Sequence, residues 1–163
     1  MIKKIAKFFK ITRLVLKYGE EAFVKDPLTG LYNRFISSEI INKKLCESER
    51  YNLSLCIILL DVDKLKQIND TKGHLEGDKA LTQVAFAIKK NIRKSDIACR
   101  WGGDEFLIML FHTQRQGAEQ FLKRIREQTS IGVSAGISEW KKGITMEQMI
   151  AIADKEMYKK KQR

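Results

Sequence analysis

Residues 53–62, Leu-Ser-Leu-Cys-Ile-Ile-Leu-Leu-Asp-Val, constrain the fold more than any other stretch of the chain. A near-continuous apolar run of this length reads as a strand buried on both faces. Such a strand belongs at the centre of a sheet. It ends in acids, Asp61 and Asp63, so the most hidden element carries carboxylates to its C-terminal end.

The rest of the chain supplies the cover. Apolar spacing predicts helices over 32–49, 63–71, 78–93, 115–128 and 145–162. A loop around Gly73 and Gly77 is expected between the second and third of these. Two further strands, 97–101 and 105–111, are joined by Gly102-Gly103-Asp104 as a tight hairpin. A last strand is expected over 130–138. Strands and helices alternate around a central hairpin. That order predicts a mixed sheet with helices packed on it, an α/β or α+β sandwich.

The 163 residues suit one compact domain with a small appendage, and 44% are hydrophobic, enough for a core. The three cysteines, Cys46, Cys56 and Cys99, lack CxxC spacing and imply no disulfide framework. A reducing, cytoplasmic setting is therefore expected. No stretch reaches the ~18–20 apolar residues of a membrane span, and the N-terminus makes a poor signal-peptide core.

The formal charge is +11 and concentrates at the two ends. Lys3, Lys4, Lys7, Lys10, Arg13 and Lys17 have no acid among them. This balance fits nucleic acid, a membrane surface or a polyphosphate ligand, and charge alone does not choose. Residues 2–24 read as a basic amphipathic helix, with Phe8, Ile11, Val15, Tyr18 and Ala22 on its apolar stripe. Packing on its own domain or on a partner helix is one reading. Membrane-surface contact through residues 1–18 is a second. Nucleic-acid contact is a third, which no helix-turn-helix or aromatic RNA-reading motif supports.

The chemistry gathers at two acidic points. Asp61 and Asp63 close the buried strand, and Asp104 and Glu105 sit at the hairpin turn. If these strands are neighbours, the acids meet at one rim of the sheet. Clustered carboxylates repel one another and lose solvation, and a hard divalent cation offsets both costs. Two such ions ~4 Å apart can activate a hydroxyl and neutralise a leaving oxyanion. Gly102 and Gly103 let backbone approach a bulky ligand. The plainer alternative is a surface hairpin with its acids in water.

Arg100 followed by Gly102-Gly103-Asp104-Glu105-Phe106 resembles the signature of the GGDEF family of diguanylate cyclases. Three further segments resemble the family's in the same order. They are Asp26-Pro27-Leu28-Thr29-Gly30-Leu31-Tyr32-Asn33-Arg34, Asp61 through Asp78, and Ala153-Asp154 with Met157-Tyr158. The resemblance spans about 26–161. It divides the chain into a helix over 1–24 and a cyclase domain over 25–163.

The resemblance implies a palm-like fold and condensation of two GTP into cyclic di-GMP. It implies Mg²⁺, or Mn²⁺ in its place, held by Asp61, the Val62 carbonyl, Asp104 and Glu105. Glu105 is then also the candidate proton acceptor. Asn69 and Asp78 would read guanine, and Lys66 and Lys161 would contact phosphates. His74 would orient the site loop or approach the substrate. Catalysis would need a homodimer. Arg93, Asp96 and Arg124 match a product-inhibition site. Leu65 stands where the family has Phe, and residues 128–131 are shorter than the family's usual connection.

Three alternatives stay open. One is a catalytically silent module that binds GTP or cyclic di-GMP, which degenerate acids would mark. Another is a mixed or linear dinucleotide product. The third is a nucleic-acid-binding protein, which would leave the acid cluster unexplained. Asp61, Asp104 and Glu105 are all present, so the enzyme is preferred. The expected location is the cytoplasm, at the inner membrane face if the first helix lies on lipid.

Overall fold

The computed structural model describes residues 21–161. The expected helix over 2–24 lies outside them except for its end, α1 (Glu21–Val24). The other elements run β1 (Tyr32–Asn33), α2 (Arg34–Tyr51), β2 (Leu55–Val62), α3 (Leu65–Lys72), α4 (His74–Asn91), β3 (Ile97–Arg100), β4 (Glu105–Phe111), α5 (Arg115–Gln128), β5 (Val133–Glu139) and α6 (Met146–Lys161). The strands form one mixed sheet of order β1-β3-β4-β2-β5. β1 pairs parallel with β3, and the remaining pairs are antiparallel.

The continuous apolar run of β2 has a simple cause. Cys56, Ile58, Leu60 and Val62 enter one core with α4 and α5, while Leu55, Ile57 and Leu59 enter another with α2 and α6. β4 divides in the same way, Phe106, Ile108 and Leu110 against Leu107, Met109 and Phe111. Both faces of the two central strands are thus covered, which gives a three-layer sandwich. α6 lies close over β5: a Cβ at Gly136 would run into the Ala153 carbonyl and the Met157 amide.

Several boundaries differ from the sequence expectation, each for a local reason. The first helix of the domain starts at Arg34, because Tyr32 and Asn33 pair with β3 and the Asn33 side chain caps the helix by accepting from the Ile36 N–H (3.1 Å). The last strand begins at Val133 and ends at Glu139. The expected loop over 73–77 shrinks to one residue. Gly73 ends α3 and starts α4, with φ 86° and ψ 161°. Only glycine adopts that backbone readily. Gly77 therefore sits within α4, and the long helix begins at His74 instead of 78.

β5 is an edge strand, and two of its carbonyls are occupied by side chains. Lys160 Nζ donates to the Ala135 carbonyl (3.3 Å) and Arg115 Nη1 to the Ile137 carbonyl (3.3 Å). Glu156 joins the two cations, at 2.7 Å from each. Covered edges resist pairing with other chains.

Two stability predictions follow from these contacts. Burial alone would raise the Glu156 carboxyl, but hydrogen bonds from Arg115 and Lys160 outweigh it and hold the group below its usual value. A depressed folded-state value stabilises the fold above the unfolded-state value of about 4.3, and the gain is lost as pH falls through the lower folded value. Glu156→Gln should lower urea-unfolding stability by about 1 kcal/mol at pH 7, allowing for the half-exposed Arg115, with the difference gone near the acid limit. Gly73→Ala should cost about 1–3 kcal/mol in the same assay, at any pH.

Candidate active site

Pairing of β2 with β4 decides the site. Asp61 stands opposite Glu105 in the ladder, and the Val62 N–H donates to the Asp104 carbonyl (3.1 Å). The hairpin turn is thereby fastened to the end of β2. Opposed side chains on neighbouring strands lie about 4.5–5.5 Å apart at Cβ. Acids from stretches more than forty residues apart thus share one rim.

Their mutual effect is visible in their acidity. Burial pushes the Asp61 carboxyl up, the Lys161 hydrogen bond pulls it back, and the Asp104 charge pushes it up again. The Glu105 carboxyl is raised by burial first, then by Asp104, Asp61 and Asp154. Asp61 is only 7% exposed, and Lys161 Nζ sits 2.7 Å from its Oδ1. A cation is already drawn to this spot. Asp63 behaves differently: its carboxylate accepts from the Ser134 hydroxyl (2.6 Å), which ties the strand end to β5.

This donor set fits a divalent cation. Asp61 and Glu105 are both raised by burial and by the Asp104 charge, a cost that such an ion relieves. Among the described residues no three His, Cys, Asp or Glu groups form a closed cage. Val62, whose carbonyl is the further candidate ligand, is buried at the end of β2.

A hollow of about 450 Å³ lies between the α3–α4 corner and the hairpin turn. Lys66, Asn69, His74, Gly77 and Asp78 line it from the helices, and Gly103 and Asp104 from the turn. Lys64, just before α3, has φ 57° and no side-chain cap. The first N–H groups of α3 are therefore left for another partner. Gly102 faces the other way: a Cβ there would lie 2.8 Å from Glu105 Oε2. Glu105 lines a second hollow, with Trp101, Asp154 and Arg34. The Arg34 guanidinium stacks on Trp101 at 4.4 Å. The turn thus divides two depressions, with the acids between them.

Sequence reasoning named Arg100 and Asp26 but not their pairing. Arg100 holds the Gly103 carbonyl through Nη2 (2.7 Å) and reaches Asp26 through Nη1 (3.4 Å). Asp26 also accepts from the Thr29 N–H (2.8 Å) and hydroxyl (2.6 Å). Burial opposes the Asp26 charge, but the Thr29 bonds and Arg100 more than offset it, and the carboxyl lies below its usual value. One arginine therefore links the opening turn to the glycine turn. Both segments were visible in the sequence, but a contact across 74 positions has no local signal.

Arg93, Asp96 and Arg124 line a separate small cleft of about 80 Å³, at the far end of β4 from Glu105. Six steps along a strand put the two places roughly 20 Å apart. The Asp96 carboxylate is engaged there, accepting from the N–H groups of Arg93 (2.9 Å) and Phe111 (3.2 Å). Arg124 Nε donates to Asn91 (3.1 Å).

Known proteins resemble this chain in sequence and in fold. The family model described as diguanylate cyclase, GGDEF domain, matches residues 23–163. The chain is 43% identical over 146 residues to the probable diguanylate cyclase DgcJ of Escherichia coli, covering 85% of this chain and 29% of that protein. It is 32% identical over 164 residues to the response regulator PleD of Caulobacter vibrioides, covering 90% of this chain and 36% of PleD. The chain thus spans about a third of the length of these relatives, or less. Its fold matches the crystal structure of the diguanylate cyclase SiaD of Pseudomonas aeruginosa with its activator SiaC, at TM-score 0.82 and 33% identity, over 99% of this chain and 68% of that one. It also matches the coiled coil and GGDEF domain of DgcB from Caulobacter crescentus in complex with c-di-GMP, at TM-score 0.85 and 25% identity, over 99% and 92% of the two chains. On the fold, the hairpin and these likenesses together, the chain belongs to the GGDEF-domain diguanylate cyclase family.

Proposed function

We propose that this chain condenses two molecules of GTP into cyclic di-GMP and two pyrophosphates. The observation that carries the reading is the opposition of Asp61 and Glu105 across β2 and β4, with Asp104 beside them and Lys161 held on Asp61. The family match and the named cyclases among the relatives support it.

The 3′-hydroxyl oxygen of one GTP forms a bond to the α-phosphorus of the other. The bridging bond from that phosphorus to the β-phosphate breaks, and pyrophosphate leaves. Glu105 takes the hydroxyl proton, a role suited to a carboxyl whose surroundings raise its basicity. The reciprocal step closes the ring. Asp61, Asp104, Glu105 and the Val62 carbonyl would hold Mg²⁺, or Mn²⁺, which supplies charge neutralisation at the phosphates when bound. Asn69 and Asp78 take the base: a carboxylate accepts from guanine N1–H and N2–H₂, which adenine does not offer. Lys66, Lys161 and the free N–H groups of α3 bind phosphates, and His74 stands at the same hollow. Gly102 and Gly103 leave the turn open to the nucleotide.

One domain holds one GTP in this scheme, so two copies must face each other as a homodimer. Residues 1–18, the candidate dimerisation or membrane-surface helix, lie outside the described residues. Among the described residues no helix is long and apolar enough to cross a membrane. Arg93, Asp96 and Arg124 form the product-inhibition cleft, where arginine forks suit phosphate and guanine.

Purified protein with GTP and Mg²⁺ should yield cyclic di-GMP by product chromatography. Asp61→Asn, Asp104→Asn and Glu105→Gln should each lower the rate by about 10²–10³-fold. Equal rates in the variants would remove the mechanism, and an inactive parent would favour the silent binding module. Arg93→Ala should raise the cyclic di-GMP concentration that halves the rate by about tenfold or more, since it removes a charge-assisted contact.

A further inference from the structure

The two helices beside the hollow meet at a single residue. Gly73 accepts the helix end from one side, its N–H donating to the Asn69 carbonyl (2.9 Å). It opens the next helix on the other, where its carbonyl accepts from the Gly77 N–H (3.4 Å). Asn69 and Gly77 therefore stand four residues either side of the corner and face each other across it. Gly77 is buried and Asn69 half-buried, and both line the hollow.

A Cβ placed on Gly77 would overlap the Asn69 side-chain amide. Its three nearest atoms are Asn69 Oδ1, Cγ and Nδ2, the last at 3.4 Å. No backbone atom is among them. Gly136 is the contrasting case, because a Cβ there meets the backbone of α6, and it is a glycine of helix-on-strand packing. The crossing of α3 and α4 makes no such demand at position 77. What the missing side chain accommodates is one amide group. Among the described residues no hydrogen bond holds that amide, so its contact with the bare α-carbon of Gly77 is what fixes it. The oxygen lies nearest the place a Gly77 Cβ would take, and the nitrogen farther from it.

We propose that Gly77 is a positioning residue for nucleotide recognition: it seats the Asn69 amide in the orientation from which Asn69 contacts the base. The inference rests on the base-reading role given to Asn69 above. A methyl group at 77 would swing the amide out of its seat without disturbing the helix, since alanine suits a helical backbone better than glycine. The loss would then fall on substrate binding and not on folding.

The test is a double-mutant cycle on the full chain, with Gly77→Ala, Asn69→Ala and the pair, read as KM and kcat for GTP and as melting temperature. Gly77→Ala should raise KM about tenfold, the effect of one lost hydrogen bond to the base, with a smaller change in kcat. It should melt within about 3 °C of the parent. Asn69→Ala should raise KM similarly. The double variant should match Asn69→Ala within about twofold, because the obstructing amide is gone. Effects that multiply in the double variant would overturn the proposal, as would an unchanged KM in Gly77→Ala beside a raised one in Asn69→Ala. An unchanged KM in Asn69→Ala would sink the base-reading role itself, and the proposal with it. Should Gly77→Ala alone fail to fold, the double variant still decides: it must melt as Asn69→Ala does, or position 77 serves packing.

Discussion

The register between β2 and β4 is the constraint on which the rest depends. Both strands are buried on both faces, so alternation of polar and apolar residues cannot fix their alignment. A slip of one residue would still bury apolar groups. What sets the pairing is the hairpin turn, fastened at Val62 to the Asp104 carbonyl and braced by Arg100 on Gly103. That fastening places Asp61 against Glu105. Asp63, one step past the strand, is held by Ser134 and by its own N–H on the Gly132 carbonyl (2.9 Å). Two strands thus grip the end of β2 from both sides.

The fold was legible in the sequence wherever one element fixes its own period. The apolar run of β2 announced a central strand, and Gly-Gly-Asp between two apolar stretches announced the hairpin. Helices α5 and α6 were readable from spacing alone. The α3–α4 corner was not. Two glycines four residues apart suggest a loop, and nothing local says that one of them turns the chain while the other is helical. The difference lies in φ, which tertiary packing selects. β1 was missed because two residues carry no period, and it is defined by its pairing with β3 and by a bridge from Tyr32 to Lys25.

The site divides in the same way. Residue types at the turn and at the strand end pointed to clustered carboxylates before any coordinates, and their convergence needed only adjacency of two strands. Partnerships over long separations were hidden. Lys161 was readable as a phosphate contact by resemblance, but its ion pair with Asp61 was not. Asp96 was readable as part of the match to a product-inhibition site, but the backbone N–H groups its oxygens accept from, those of Arg93 and Phe111, were not. These partnerships depend on how distant segments pack, which no local pattern encodes.

The cations over β5 bear on how copies of this chain can meet. With Lys160 and Arg115 seated on its outward oxygens, that strand offers no free acceptors at Ala135 and Ile137 for a neighbour to extend the sheet. A foreign strand that approached this stretch of β5 would have to displace two charged side chains before it could pair, and an edge guarded in this way favours staying single.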